Sequence, residues 1–112
     1  MDGLQIYQDI MAAIKKHDEL VEGIVESGKT LAAAEKQYRI KKREAELYYR
    51  DKGYPASMLG DLAKGQSDIA ELAFARDLAQ YALDATKESV WGKRQEINVL
   101  RDFYSFEFGR NK

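Results

Sequence analysis

The feature that most constrains this chain is a run of positions three and four residues apart: Tyr7, Ile10, Ile14, His17, Val21, Ile24, Gly28, Leu31, Glu35, Tyr38, Lys42, Ala45 and Tyr49. Most are apolar, and that spacing lines one face of a helix. The chain has a single proline, Pro55, so nothing upstream of it forces a break. The spacing predicts helix 1 from about Leu4 to about Lys52. Its weak stretch is Gly23 to Thr30, where each of two glycines is ~1 kcal/mol less favourable in a helix than alanine. A kink or short interruption is expected to fall there if anywhere.

Gly53-Tyr54-Pro55 ends helix 1, because glycine supplies a left-handed cap and the residue before proline is driven from the helical region. Residues 53–66 read as a short helical connector punctuated by Gly60 and Gly65, with Ser57 placed to cap one turn. Ser67 then reads as the N-cap of helix 2, about residues 67–108, with Asp68 and Glu71 in its first turn. Its apolar series is Ile69, Leu72, Ala79, Leu83, Val90, Ile97, Leu100 and Tyr104. The expected fold is all-α: one domain over residues 1–112, a long antiparallel helical hairpin, coiled-coil-like, about 60 to 70 Å long at 1.5 Å per residue. Two helices bury one stripe each, a small core for the ordering entropy of ~100 residues. Tyr7, Tyr38, Tyr48, Tyr49, Trp91, Phe103, Phe106 and Phe108 add apolar surface beyond one seam, so hairpins are expected to assemble into an oligomeric bundle. The simpler alternative is an elongated monomer with these rings on its seam.

Charge excludes several classes. Eighteen Lys and Arg against nineteen Asp and Glu give a net charge of −1, so the whole molecule is not drawn to nucleic acid or to anionic membrane. With no cysteine there is neither a disulfide nor a thiolate metal site. The start of the chain has no basic segment followed by an apolar one, so the expected location is the cytoplasm.

One famous signature occurs. Gly23-Ile24-Val25-Glu26-Ser27-Gly28-Lys29-Thr30 fits the phosphate-binding loop G-x-x-x-x-G-K-[ST], but that loop works between a buried strand and a helix within a parallel sheet. Lys15 to Glu22 read as a helix surface, and Glu26 would face the phosphate, so we reject it. His17 is the only histidine and stands at a seam position, which favours packing over catalysis. No glutamate has a histidine three residues after it, as a di-metal bundle requires. Acids such as Asp18, Glu19, Glu22, Glu44 and Glu46 read as solvated helix faces. No catalytic group, cofactor or metal is expected.

Local charge says more than the total. Residues 1–26 carry two lysines against six acids, net −4, and residues 27–52 carry eight bases against four acids, net +4. Opposed helices can read that polarity as orientation. Alternatively Lys36, Arg39, Lys41, Lys42, Arg43 and Arg50, interleaved with Tyr38, Tyr48 and Tyr49, form a basic and aromatic surface for nucleic acid or a nucleotide ligand.

The middle of the chain adds a resemblance. Ala34-Glu35-Lys36-Gln37-Tyr38-Arg39, Gly53-Tyr54-Pro55, Asp61-Leu62-Ala63-Lys64-Gly65 and Ala70-Glu71-Leu72-Ala73-Phe74-Ala75-Arg76-Asp77-Leu78-Ala79 resemble a family of small phage and prophage proteins of Gram-positive bacteria, themselves without a settled activity. It covers about residues 31–104. Members look like early-region products, encoded among replication, recombination or host-takeover functions. The segment before Leu31 and the ending Phe103-Tyr104-Ser105-Phe106-Glu107-Phe108 depart from the pattern, so partner choice is expected to differ.

The recurrent positions include structural ones, with Asp61 bonding the connector, Gly65 taking positive φ, and Leu62 and Leu72 packing the turn. Arg39, Lys64, Arg76 and Asp77 are charges that a plain hairpin does not require. Adjacent residues do not share a helix face, so Arg76 and Asp77 are expected to pair across to other helices or to a partner. The candidate partner or ligand surface is therefore Tyr38, Arg39, Lys41, Lys42, Arg43, Tyr54, Asp61, Lys64, Arg76 and Asp77. The expected function is non-catalytic: self-association, and binding of a host or phage protein that alters replication, recombination or defence, with nucleic-acid or nucleotide binding as the alternative.

Overall fold

The computed structural model describes residues 2–109 and is all-α, with no strand among the described residues. Helix α1 spans Gly3–Asp51, α2 spans Leu59–Lys64 after a 3-10 turn at Ala56–Met58, and α3 spans Ser67–Phe108. The architecture is a long antiparallel helical hairpin with a short helical connector, as the spacing predicts.

Each boundary has a local cause. Asp2 Oδ1 accepts the Gln5 backbone N–H at 2.7 Å and so caps α1. At its other end Gly53 takes φ +93. The Gly53 N–H donates to the Arg50 carbonyl at 3.0 Å and the Tyr54 N–H to the Tyr49 carbonyl at 3.2 Å. This is a Schellman cap, completed by the Tyr49 and Tyr54 rings meeting edge to face at 5.6 Å. Three local expectations fail. Met58, not Ser57, precedes α2 and gives no side-chain cap. Gly65 has φ −77 and needs no positive φ, because its N–H closes an ordinary helical bond to the Asp61 carbonyl at 3.1 Å. Ser67 is the first residue of α3, one position inside the cap expected of it.

Contacts divide the chain into two compact units: residues 1–26 with 84–112, and residues 27–83. In the second unit α2 closes the turn. Ala63 and Ile69 are fully buried against Ala45, with Tyr38 packed on them, and Leu59 is buried beside α2's start. In the first unit Ile6, Ala13, Val90 and Ile97 are buried. Helix α1 runs through Gly23 to Thr30 without interruption. A Cβ at Gly23 would lie 3.5 Å from Thr86 Cγ2, an ordinary contact, so the packing across to α3 tolerates glycine there without requiring it.

The seam of α1 differs from its prediction in one half. Leu31, Glu35, Tyr38, Lys42, Ala45 and Tyr49 are at least half-buried, as expected, but toward the N-terminus Ile6, Ala13 and Leu20 take the inward places assigned to Tyr7, Ile14 and Val21. Ile6 is 0% exposed and Tyr7 is 54% exposed. A spacing of 3.5 drifts ~20° per heptad on a helix of 3.6 residues per turn, so over four heptads the inward residue changes by about one. On α3 the gaps in the apolar series are filled by half-buried Arg76, Thr86 and Lys93, while Tyr104 is exposed. Among the described residues no helix is long and apolar enough to cross a membrane.

Candidate functional site

Arg76 occupies a seam position of α3. Its guanidinium carbon lies 4.3 Å from the centre of the Tyr38 ring, and its Nε lies 3.7 Å from Glu35 Oε1, both on α1. Arg76 Nε also donates to Asp77 Oδ1 at 3.2 Å. The expectation that Arg76 and Asp77 pair away from each other is therefore corrected: the long arginine side chain bends back to its neighbour while crossing to α1. Burial alone would lower the Arg76 pKa, but hydrogen bonds and charge from Asp77 and Tyr38 raise it above its ordinary value. The guanidinium is thus held as a fixed cation stacked on a ring.

Around that stack opens a groove of about 680 Å³ lined by Tyr38, Lys42, Lys64, Ile69, Phe74, Arg76 and Asp77, together with Ala70 and Ala73. Five of the ten residues singled out from sequence thus come together here. Lys42 Nζ is 3.8 Å from Glu46 in a half-buried pair at long range, and Lys64 makes no ion pair among the described residues. Phe74 stands exposed on the rim.

The other five lie elsewhere. Arg39 pairs with Glu35 at 3.2 Å, Lys41 with Glu44 at 3.3 Å and Arg43 with Glu46 at 3.6 Å, each within one turn or so along α1. Tyr54 belongs to the Schellman cap, and Asp61 is exposed, contributing its backbone carbonyl to Gly65. The basic surface expected of α1 is therefore laced by its own carboxylates. Residues 23–30, which match the phosphate loop on paper, lie wholly within α1, where their backbone N–H groups serve the helix.

In the first unit, Arg94 Nε donates to His17 Nε2 at 3.2 Å, so the ring's proton belongs on Nδ1, which lies 3.4 Å from Asp18 Oδ1. His17 is thus a linked seam residue. Beside it Ile14, Arg94, Ile97, Asn98 and Arg101 line a shallow groove of about 330 Å³.

Sequence reasoning missed a second lane on α1. Leu4, Tyr7, Met11, Ile14, Asp18, Val21 and Val25 repeat the three-and-four spacing one residue beyond the seam, and five of the seven are large apolar residues classed as exposed, Leu4 at 66%. The available signal was the series of apolar doublets, Ile6-Tyr7, Ile10-Met11, Ala13-Ile14, Leu20-Val21 and Ile24-Val25. A helix with one buried stripe needs only one member of each.

No family model, curated protein or solved structure matches this chain.

Proposed function

We propose that this chain is a non-catalytic interaction protein of phage or prophage origin. In this reading it self-associates in a bacterial cytoplasm and binds a host or phage protein, modulating replication, recombination or defence. The observation that carries the reading is the exposed lane from Leu4 to Val25. Three heptads of apolar residues outside the hairpin's own seam, interrupted at Asp18, are the pattern by which helices pack on further helices. The origin rests on the Tyr-Arg, Gly-Tyr-Pro and Asp-Leu-Ala-Lys-Gly resemblance. The test is solution mass by light scattering on a sizing column, with the absorbance ratio read for nucleic acid. A multi-chain species free of nucleic acid is expected; a monomer at every concentration overturns it.

A second reading is favoured by the groove at Tyr38. Lys42, Lys64 and Arg76, with the Tyr38 and Phe74 rings, offer cations and stacking surfaces to a nucleotide, free or in a strand. Affinity for an oligonucleotide would then fall steeply with salt as phosphate contacts release counterions. Binding unchanged by Lys42→Glu with Lys64→Glu contradicts it.

A further inference from the structure

The groove at Tyr38 is bordered by more cations than carboxylates. Glu35 lies 3.2 Å from Arg39 and 3.7 Å from Arg76, and Glu46 lies 3.8 Å from Lys42 and 3.6 Å from Arg43, so each carboxylate is shared between two cations. Asp77 lies 3.2 Å from Arg76. With Lys64, five cations share three carboxylates, and exposed Asp61, three residues before Lys64, still leaves the sum at +1. Lys42, Arg76, Glu35 and Glu46 are half-buried, so their charges are screened less than those of an open helix surface. The two rings of the groove are not equivalent. Tyr38 is packed on Ala45, Ala63 and Ile69 and already carries the Arg76 guanidinium 4.3 Å from its centre. Phe74 lines the same groove, is 64% exposed and makes no ring or cation contact among the described residues. One open ring receives one base, whereas a strand stacks successive bases on successive rings. At about 680 Å³ the groove has the volume of a small-molecule site.

We propose, resting on the nucleotide reading of this groove, that its ligand is a free nucleoside polyphosphate and not a strand. The base stacks on Phe74. The phosphate chain takes Lys64, which has no carboxylate to leave, and then Lys42, whose contact with Glu46 at 3.8 Å is long enough to yield to a phosphate oxygen. Asp77 lines the groove as an acceptor, suited to a sugar hydroxyl or a base N–H and not to phosphate. Arg76 stays stacked on Tyr38 and forms the wall between base and phosphates.

The test titrates the full chain with ATP, with inorganic tripolyphosphate and with a short oligothymidylate, using variants whose helicity by circular dichroism equals wild type. Lys64→Gln is expected to weaken ATP about tenfold, as loss of a charged contact does. Phe74→Leu is expected to weaken ATP about fivefold or more and to leave tripolyphosphate unchanged, because only the base meets the ring. Lys41→Gln removes the same charge from a residue that pairs with Glu44 and lines a different groove, and is expected to change ATP affinity by less than about twofold. ATP bound no tighter than tripolyphosphate, Phe74→Leu without effect, or Lys41→Gln as costly as Lys64→Gln overturns the proposal. Oligothymidylate bound where ATP is not defeats the free nucleotide and keeps the nucleotide reading of the groove, whereas binding of neither defeats that reading itself.

Discussion

At the scale of single residues, glycines of opposite sign give the sharpest expectations. Gly53 holds φ +93 in the cap that ends α1, so Gly53→Ala is expected to cost about 1–2 kcal/mol of folding stability by urea titration. Gly28 lies inside α1 with open space where a Cβ would stand, so Gly28→Ala is expected to stabilise by up to ~1 kcal/mol. A Gly28→Ala chain less stable than wild type would show a bend or close approach that the helix here does not have. The Arg76 stack on Tyr38 is the other residue-scale unit. A double-mutant cycle of Arg76→Ala with Tyr38→Leu is expected to return a coupling of about 0.5–1 kcal/mol, the range of a partly exposed cation on a ring. A coupling indistinguishable from zero would mean the stack contributes position only.

At the scale of elements, α1 illustrates what sequence spacing can and cannot decide. The 3/4 pattern and the Gly-Tyr-Pro stop place α1 and α3 to within a residue, because helix type, caps and breakers are local properties. Which member of each apolar doublet faces inward is not local, since it depends on how far the helix drifts against its partner. The same limit applies to the candidate site. Tyr38, Lys42, Lys64, Arg76 and Asp77 meet because α2 folds onto Ala45 and Ile69, and no spacing within α1 encodes that. Arg39, Lys41 and Arg43 stand on the exposed side of α1, each paired with a carboxylate three or four residues away along the helix, a pairing legible in the sequence. The inward assignment can be tested directly. Ile6→Ala removes a fully buried side chain and is expected to cost about 2–4 kcal/mol, whereas Tyr7→Ala is expected to cost under ~1 kcal/mol in a dilute monomer. Equal costs, or the reverse order, would return the seam to Tyr7, Ile14 and Val21.

At the scale of the whole molecule, the hairpin buries few large side chains and leaves many outside. Two of the buried residues, Ile6 and Ile69, are the largest that are fully enclosed, while Leu4, Phe74, Tyr81, Trp91, Val99 and Phe106 are each more than half exposed. A chain so arranged gains stability by burying its outer lanes against something else. The only tryptophan, Trp91, stands 60% exposed on α3 in the same unit as the α1 lane, and so reports on covering of that unit's surface. The decisive measurement is sedimentation equilibrium of the wild-type chain from low micromolar to high concentration, with Trp91 emission recorded on the same samples. The account predicts a mass that rises above 12.8 kDa, accompanied by a blue shift of the emission over the same concentrations. A constant monomer mass with unchanged emission would contradict it.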